Sequence, residues 1–378
     1  MRKTILASIF SALMLGHAAA AEGKLVLYTS QPNTDAQQTV DAFMARNPGV
    51  TVEWVRDGTP KILAKLRAEI EAGQPQADVL LIADVVTMEG LKKEGRLLAY
   101  PEADVSAYEA GLIDKDRTYF STKLITTGIV YNTKAPFVPA SWLDLTKPEA
   151  KGLIAMPSPL TSGAAMIHTV TLVGNLPQGW DYYASLAANG AQPAGGNGDV
   201  LKAVSGGDKL FGMIVDYMPI REKAKGAPVE FVFPTEGVSA VTEPVAILST
   251  TKNPDAAKAF VDFLLSKEGQ EVAAKMGYIP ARPDVALPAG YPNRASIKVL
   301  NYDAAAALAN DAANKEKFGE VMGQWADPPC RSLVAGRRCC GAARRQYLQR
   351  SEEPASAFRL SPSCWSSRCS ASCRWRGW

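Results

Sequence analysis

Cysteine and histidine are nearly missing from most of this chain. Upstream of Trp325 there is no cysteine, and beyond the first 21 residues the one histidine is His168. A body without cysteine has neither a disulfide framework nor a cysteine-ligated zinc site. His168 falls on the apolar face of a predicted helix, so we expect a packed, hydrogen-bonded core residue and not a ligand. Scarce histidine and cysteine remove the commonest metal and nucleophile chemistry from the body.

Motifs that mark familiar enzyme sites are also absent. The sequence has no His-Glu-x-x-His pair and no Gly-x-Ser-x-Gly turn. It also has no Gly-x-x-x-x-Gly-Lys-Ser/Thr phosphate loop and no Gly-x-Gly-x-x-Gly fingerprint. We therefore predict that the protein is not an enzyme and uses no cofactor, with a secreted enzyme built on scattered carboxylates as an alternative.

Long hydrophobic runs are scarce as well. Arg2 and Lys3 precede an apolar run over residues 5–15, and small residues follow at 18–21. This order is typical of a secretory signal peptide, so we assign residues 1–21 to a signal and expect a periplasmic protein. The apolar run is too short to span a bilayer, and no other stretch approaches the roughly 18 apolar residues of a transmembrane helix.

The last 54 residues have a different composition. Residues 325–378 hold all six cysteines and ten arginines but no lysine. We predict an aberrant tail, frameshifted or disordered, with a disulfide framework as the alternative. Without the tail and the signal, 29 basic and 35 acidic residues remain. The body is therefore mildly acidic, and its charge gives no case for nucleic-acid binding.

The body begins with alternating strand and helix patterns. Strands are predicted at 24–30, 51–55 and 78–82, each followed by an amphipathic helix. This β-α-β-α-β-α order predicts an α/β fold with a largely parallel sheet. Residues 125–132 and 237–248 read as two strand-like crossings between two lobes. We therefore predict a discontinuous first lobe, residues 22–125 plus 240–324, and a second lobe, residues 126–239.

Polar or small residues follow each predicted strand, where open α/β sheets place their ligands. Ser30 and Gln31 follow the first strand, residues 57–59 the second, and Asp84 the third. A further helix starts at Ser162-Gly163, where free backbone N–H groups and the helix dipole favour an anion. The strand at 211–215 ends at Asp216-Tyr217. Together these ends predict a polar cleft.

Six short motifs, in this order and spacing, resemble one protein family over almost the whole body. They are Leu-Val-Leu-Tyr-Thr-Ser at 25–30, Ala-Asp-Val-Leu at 77–80, Thr-Gly-Ile-Val-Tyr-Asn at 127–132, Thr-Ser-Gly-Ala at 161–164, Glu-Gly-Gln at 268–270 and Gly-Tyr-Ile-Pro-Ala-Arg at 277–282. The body is similar to the class II periplasmic solute-binding proteins of ABC importers, in the ferric-iron, phosphonate and sugar-phosphate branch. The resemblance implies the type II periplasmic binding fold, hinge closure on the ligand, and delivery to a membrane permease and ATPase.

Ferric members of that family hold iron with two adjacent tyrosines, often assisted by His or Glu. Here the pair falls at Tyr217-Met218, so the second phenolate is missing, and Asp84 stands where an acidic ligand is expected. The anion half of the site, Ser162 to Ala164 with the Asn197 loop, is intact. We therefore expect a small anionic solute, phosphorylated or a phosphonate, with ferric iron on Tyr217 and Asp84 as the alternative.

The predicted solute contacts come from both lobes, and we expect a monomer. They are Ser30, Gln31, Thr59, Asp84, Thr127, Ser162, Gly163, Ala164, Asn197, Asp216 and Tyr217.

Overall fold

The computed structural model describes residues 21–323, which form two β-sheets flanked by helices. The predicted signal peptide, apart from its last residue, and the predicted aberrant tail lie outside the described residues.

Thirteen strands and eleven α-helices follow one another in the described part of the chain. The strands are β1 (Gly23–Thr29), β2 (Val50–Arg56), β3 (Val79–Leu81), β4 (Leu97–Leu98), β5 (Tyr119–Ser121), β6 (Lys123–Asn132), β7 (Ile154–Pro157), β8 (Gln192–Ala194), β9 (Phe211–Val215), β10 (Val229–Val232), β11 (Ser239–Val241), β12 (Pro244–Leu248) and β13 (Ile279–Pro280). The helices are α1 (Asn33–Arg46), α2 (Thr59–Glu71), α3 (Val85–Lys93), α4 (Gly163–Asn175), α5 (Trp180–Ala188), α6 (Asn197–Gly206), α7 (Tyr217–Ala224), α8 (Pro254–Leu265), α9 (Lys267–Lys275), α10 (Ala304–Ala309) and α11 (Asp311–Met322).

The first sheet has the order β2-β1-β3-β12-β4, with β5 paired to β12. Strands β1, β2 and β3 run parallel, as the alternation of strands and helices predicts. Phe43 of α1 and Phe260 of α8 are fully buried against this sheet, and their rings meet edge to face at 5.0 Å. The amphipathic stripes of these helices thus form the core of the first lobe.

The second sheet has the order β10-β6-β9-β7-β8, with β11 and β13 also paired to β6. Only β7 runs parallel to its neighbours β8 and β9, whereas β6 is antiparallel to each of its partners. The α/β two-lobed fold is confirmed, but the expectation of mostly parallel sheets is corrected, because both sheets are mixed. The strands responsible, β6 and β12, enter from the opposite lobe and therefore run against the local βαβ units.

The two crossings lie side by side between the sheets. The chain leaves the first sheet after β5 and enters the second at β6, and it returns between β11 and β12. The N–H groups of Thr122 and Lys123 donate to the carbonyl of Thr242 at 3.2 and 3.3 Å. The Thr122 hydroxyl donates to the carbonyl of Glu243 at 2.7 Å. The crossing strands are thus bonded to each other where they pass.

The last helices contact both lobes. Helix α10 packs on α3 beside the first sheet, whereas α11 packs on α5, and Phe318 is buried in the core of the second sheet. The assignment of residues 240–324 to one lobe stays a prediction. No helix within residues 21–323 is long and apolar enough to cross a membrane.

Candidate functional site

A cleft of about 500 Å³ opens where strands of the two sheets end. From the first lobe it is lined by the residues after β1, β2 and β3, and from the second by the loops before α4, α6 and α7. Because parallel strands end at the same edge of a sheet, these loops meet in one place. The cleft volume falls within the range of about 300–1,000 Å³ typical of small-molecule sites.

Four helices begin at this cleft. One of them, α7, is capped by the carboxylate of Asp216, and the other three are α2, α4 and α6. Helix α2 has Gly58 as N-cap and α6 has Gly196, neither of which can cap with a side chain, and α4 has Ser162. The Ser162 hydroxyl accepts from the N–H of Ala165 at 3.3 Å, and helix geometry leaves the N–H groups of Gly163 and Ala164 without an intrahelical acceptor. Three positive helix ends therefore face one space.

Glycine is required at two of these positions by the close approach of the lobes. A Cβ atom at Gly58 would lie 2.5 Å from the carbonyl oxygen of Thr161, across the cleft mouth. One at Gly163 would lie 2.9 Å from the Cβ of Asp84 and 3.1 Å from the hydroxyl of Thr59. The loop before α2 and the start of α4 are thus in direct contact.

Two cations line the same part of the cleft. The Nε of Arg56 donates to the carbonyl of Gln31 at 2.8 Å, and Lys61 Nζ lies 3.6 Å from a carboxylate oxygen of Asp57. Asp57 and Asp199 also line the cleft, but their carboxylates accept from the N–H groups of Gly58 and Gly196. This end of the cleft combines backbone donors with side-chain cations and suits an anion.

A buried ion pair forms part of the cleft wall near the crossings. Glu243, 2% exposed, lies 2.5 Å from Lys123 Nζ and accepts from Gln31 Nε2 at 3.3 Å. Burial raises the pKa of Glu243, and Lys123 opposes that rise. The backbone of Glu243 has φ 37°, a conformation that non-glycine residues rarely adopt and that often marks functional sites.

Tyr217 is the aromatic residue of the cleft. It starts α7, is 6% exposed, and packs its ring against Tyr278 with centroids 4.4 Å apart. Burial raises the pKa of its phenol, so the group is a neutral hydrogen-bonding hydroxyl at neutral pH. The Tyr278 hydroxyl donates to Asp35, so this second phenol is already engaged.

The structure brings seven of the eleven predicted contacts together at the cleft. They are Ser30, Thr59, Ser162, Gly163, Ala164, Asn197 and Tyr217. Two of these side chains also form hydrogen bonds within the protein. The Ser30 hydroxyl accepts from the N–H of Ala83 at 2.9 Å, and the Asn197 side-chain carbonyl accepts from the N–H of Val215 at 3.1 Å. Ser30 retains its hydroxyl proton and Asn197 its amide protons as donors.

Four predicted contacts do not line the cleft. Asp84 caps α3, accepting from the N–H of Val86 and from Thr87, and burial raises its pKa. Asp216 is fully buried, where it accepts from the N–H and hydroxyl of Thr126.

Thr127 is buried in β6, where it pairs with Val215, and Gln31 is fully buried behind Glu243. Three of these four residues, Gln31, Asp84 and Asp216, were chosen by their position at strand ends, and Thr127 lies within a predicted crossing. The structure uses Asp84 as a helix cap and buries the other three.

Arg56, Lys61, Asp199 and Glu243 line the cleft but were not among the contacts predicted from the sequence. Arg56 and Lys61 flank the 57–59 loop that was recognised, so their charge was a usable signal. Glu243 interrupts the apolar return crossing, which is the only hint the sequence offers.

His168 is buried with Nδ1 2.9 Å from the Ser239 hydroxyl and its ring against Trp142, in agreement with the predicted core role.

The model of one family, the bacterial extracellular solute-binding proteins, matches residues 38–299. The solved structure of AfuA from Actinobacillus pleuropneumoniae, with fructose 6-phosphate bound, is 26% identical. It superposes with a TM-score of 0.74, covering 81% of this chain and all of AfuA.

Two sequence relatives are named as periplasmic binding proteins. A probable ABC transporter periplasmic-binding protein of Sinorhizobium fredii is 27% identical over 69% of this chain and 75% of its own length. An Fe(3+)-binding periplasmic protein of Serratia marcescens is 26% identical over 70% of this chain and 81% of its own length.

Proposed function

The chain belongs to the bacterial extracellular solute-binding proteins, and from that premise we propose that it captures a small phosphorylated or phosphonate solute for import. The solute would bind in the cleft described above, in the periplasm, and be delivered to the permease and ATPase of an ABC importer. In support, one relative of this chain is a probable ABC transporter periplasmic-binding protein, and another is an Fe(3+)-binding periplasmic protein.

One observation carries the proposal: three helix N-termini and two cations face the same end of the cleft. A phosphate or phosphonate group offers three oxygens, which match several N–H donors, and its charge is stabilised by the helix ends together with Arg56 and Lys61. Carboxylates at the same end are already bonded to backbone N–H groups and so repel an anion less.

The remainder of the cleft suits the organic part of such a solute. Glu243 offers a carboxylate acceptor, and Tyr217 offers a hydroxyl. Because Lys123 already compensates the charge of Glu243, a neutral hydroxyl is a better partner there than an ammonium group, which would add a net buried charge. A phosphorylated polyol fits both ends, and the fructose 6-phosphate bound to AfuA is a compound of that kind.

Isothermal titration calorimetry with fructose 6-phosphate tests the proposal, after native mass spectrometry of the purified protein has identified any solute it carries. In a separate unfolding measurement, a free fructose 6-phosphate concentration of 100 times the Kd should raise the free energy of unfolding by about 2.7 kcal/mol. Inorganic phosphate and unphosphorylated fructose are the matched controls, and both should bind more weakly. Equal binding of fructose and fructose 6-phosphate would contradict an anion site at the helix ends. Steady hydrolysis of the ester would instead support an enzyme.

Ferric iron is the second candidate, favoured by the phenol of Tyr217 in the cleft and by the Fe(3+)-binding relative. Within residues 21–323, no three His, Cys, Asp or Glu side chains are grouped to hold a metal, and the carboxylate of Asp84 is used as a helix cap. Titration with ferric citrate distinguishes the two functions. A visible phenolate-to-iron charge-transfer band that disappears in Tyr217→Phe would establish iron.

A further inference from the structure

A charged contact joins helix α1, beside the first sheet, to helix α7, beside the second. Arg221 on α7 donates to both carboxylate oxygens of Asp35 on α1, with Nη1 and Nη2 each 2.9 Å from Oδ2 and Nη1 3.1 Å from Oδ1. Asp35 is 2% exposed, whereas the Arg221 side chain is 25% exposed. A planar guanidinium held in this way is fixed in both position and orientation.

The same guanidinium lies over two tyrosine rings. Its carbon is 4.5 Å from the ring centroid of Tyr217 and 4.9 Å from that of Tyr278. The Tyr278 hydroxyl donates to the Asp35 carboxylate that holds Arg221. The Tyr217 ring therefore contacts both a neighbouring ring and a clamped cation, and of these residues Tyr217 is the one that lines the cleft.

The clamp depends on the relative position of the two lobes. Val40 and Phe43 anchor α1 to the core of the first sheet, whereas α7 begins at the end of β9 in the second. A few ångströms of separation between the lobes would break the Arg221–Asp35 bonds, because hydrogen bonds weaken steeply beyond about 3.2 Å. The orientation of Tyr217 is thereby coupled to lobe closure.

We propose that Arg221 is a positioning residue for solute binding: held by Asp35 across the lobes, it orients the Tyr217 phenol toward the cleft. This rests on the proposed function only in taking the cleft as the solute site. Arginine is needed because lysine has neither the planar fork for a bidentate contact nor the flat face for stacking on two rings.

A double-mutant cycle tests the coupling, with fructose 6-phosphate as the probe in calorimetry. Arg221→Met should raise the Kd about tenfold in the wild-type background. It should raise the Kd less than twofold in a Tyr217→Phe background, because the hydroxyl that Arg221 positions is then absent. Equal losses in the two backgrounds would overturn the proposal, since a general structural role would not depend on one hydroxyl.

Three further variants separate positioning from folding. Lys223 lies on the same helix as Arg221 and forms an exposed ion pair with Glu230 of β10. Lys223→Met removes that ion pair and should leave the Kd unchanged. Arg221→Lys keeps the charge without the stacking, so full recovery of affinity in that variant would also overturn the proposal. If Arg221→Met unfolds because Asp35 is left buried and unpaired, the Asp35→Asn/Arg221→Met double variant replaces it in the cycle.

A ligand-free readout distinguishes failure of the proposed function from failure of this inference. If the wild-type protein does not bind fructose 6-phosphate, that solute is wrong, and NMR of ring-labelled tyrosine still tests Arg221. Arg221→Met should shift the resonances of Tyr217, assigned by their loss in Tyr217→Phe, and Lys223→Met should not. Unchanged Tyr217 resonances in Arg221→Met would refute the positioning role.

Discussion

Replacing Gly58 by alanine should prevent the cleft from closing while leaving each lobe intact. The backbone of Gly58 has φ −60° and ψ 147°, an extended conformation that alanine adopts freely. The new Cβ, however, would lie 2.5 Å from the Thr161 carbonyl oxygen, where ordinary contact begins near 3.4 Å. The loop before α2 and the loop before α4 would have to separate by about 0.9 Å.

The size of the effect follows from the cost of overpacking. Forcing a methyl group into a filled contact costs roughly 1–3 kcal/mol, because the obstructing atom belongs to the backbone and cannot rotate away. The cost falls on the closed form, in which these two loops meet. We therefore expect the Kd for fructose 6-phosphate to rise roughly 5- to 150-fold in Gly58→Ala.

Calorimetry measures the Kd, and small-angle X-ray scattering of the liganded protein measures closure. Gly206→Ala is the matched control, because nothing lies within 4 Å of the added methyl group and this glycine ends α6 with ordinary backbone angles. That variant should bind as the wild type does. Wild-type affinity and an unchanged radius of gyration in Gly58→Ala would refute the role given to this contact.

The polar wall of the cleft and its buried surroundings give two further predictions. Glu243→Gln should weaken the binding of fructose 6-phosphate about tenfold but leave the binding of inorganic phosphate unaffected. The Lys123→Met/Glu243→Gln double variant tests whether the effect survives when no unpaired lysine is left. Equal losses of affinity for both ligands would contradict a hydroxyl contact. Burial raises the pKa of Asp216 to about 6, so the folded state keeps a proton that the unfolded state releases near pH 4. The contribution of Asp216 to stability should therefore fall by roughly 3 kcal/mol as the pH rises from 4 to above 6. Burial lowers the pKa of His168 from about 6.5 to about 3, and this acts in the opposite direction throughout the same range. Chemical denaturation must therefore compare Asp216→Asn with the wild type at each pH, and identical pH profiles would contradict the Asp216 assignment.

The parts of the site that the sequence could predict are those made by local chain geometry. Ser162 caps α4 through the N–H of a residue three positions on, and the Ser-Gly pair carries that information by itself. The alternating patterns of the first 95 residues likewise identified the parallel strands β1, β2 and β3. Residues whose neighbours in sequence are also their neighbours in space can be assigned from the sequence.

Position at a strand end was a weaker guide to side-chain direction. Asp84 and Asp216 both follow strands that border the cleft, but each turns its carboxylate back to the start of its own helix. Asp84 accepts from the N–H of Val86 and the hydroxyl of Thr87, and Asp216 accepts from the N–H of Tyr217 as well as from Thr126 on the neighbouring strand. A short acidic side chain at a helix start has these donors within reach before any solute arrives. The same chemistry that makes aspartate look like a ligand therefore makes it a cap.

The contacts that hold Glu243 and Tyr217 at the cleft could not be predicted, because their partners are remote in the chain. Lys123 and Glu243 meet only where the two crossing strands pass, and Asp35 and Arg221 meet only when the lobes are in contact. Neither pair gives a periodic pattern in the sequence, because each charged residue is isolated and its partner is not a neighbour in the chain. The anion end of the site depends on local helix starts, whereas the end that would select the rest of the solute depends on the crossings. Relatives that share the local motifs can therefore differ in solute through changes at a few such positions, which fits a family whose relatives include an iron-binding protein and a structure with a sugar phosphate bound.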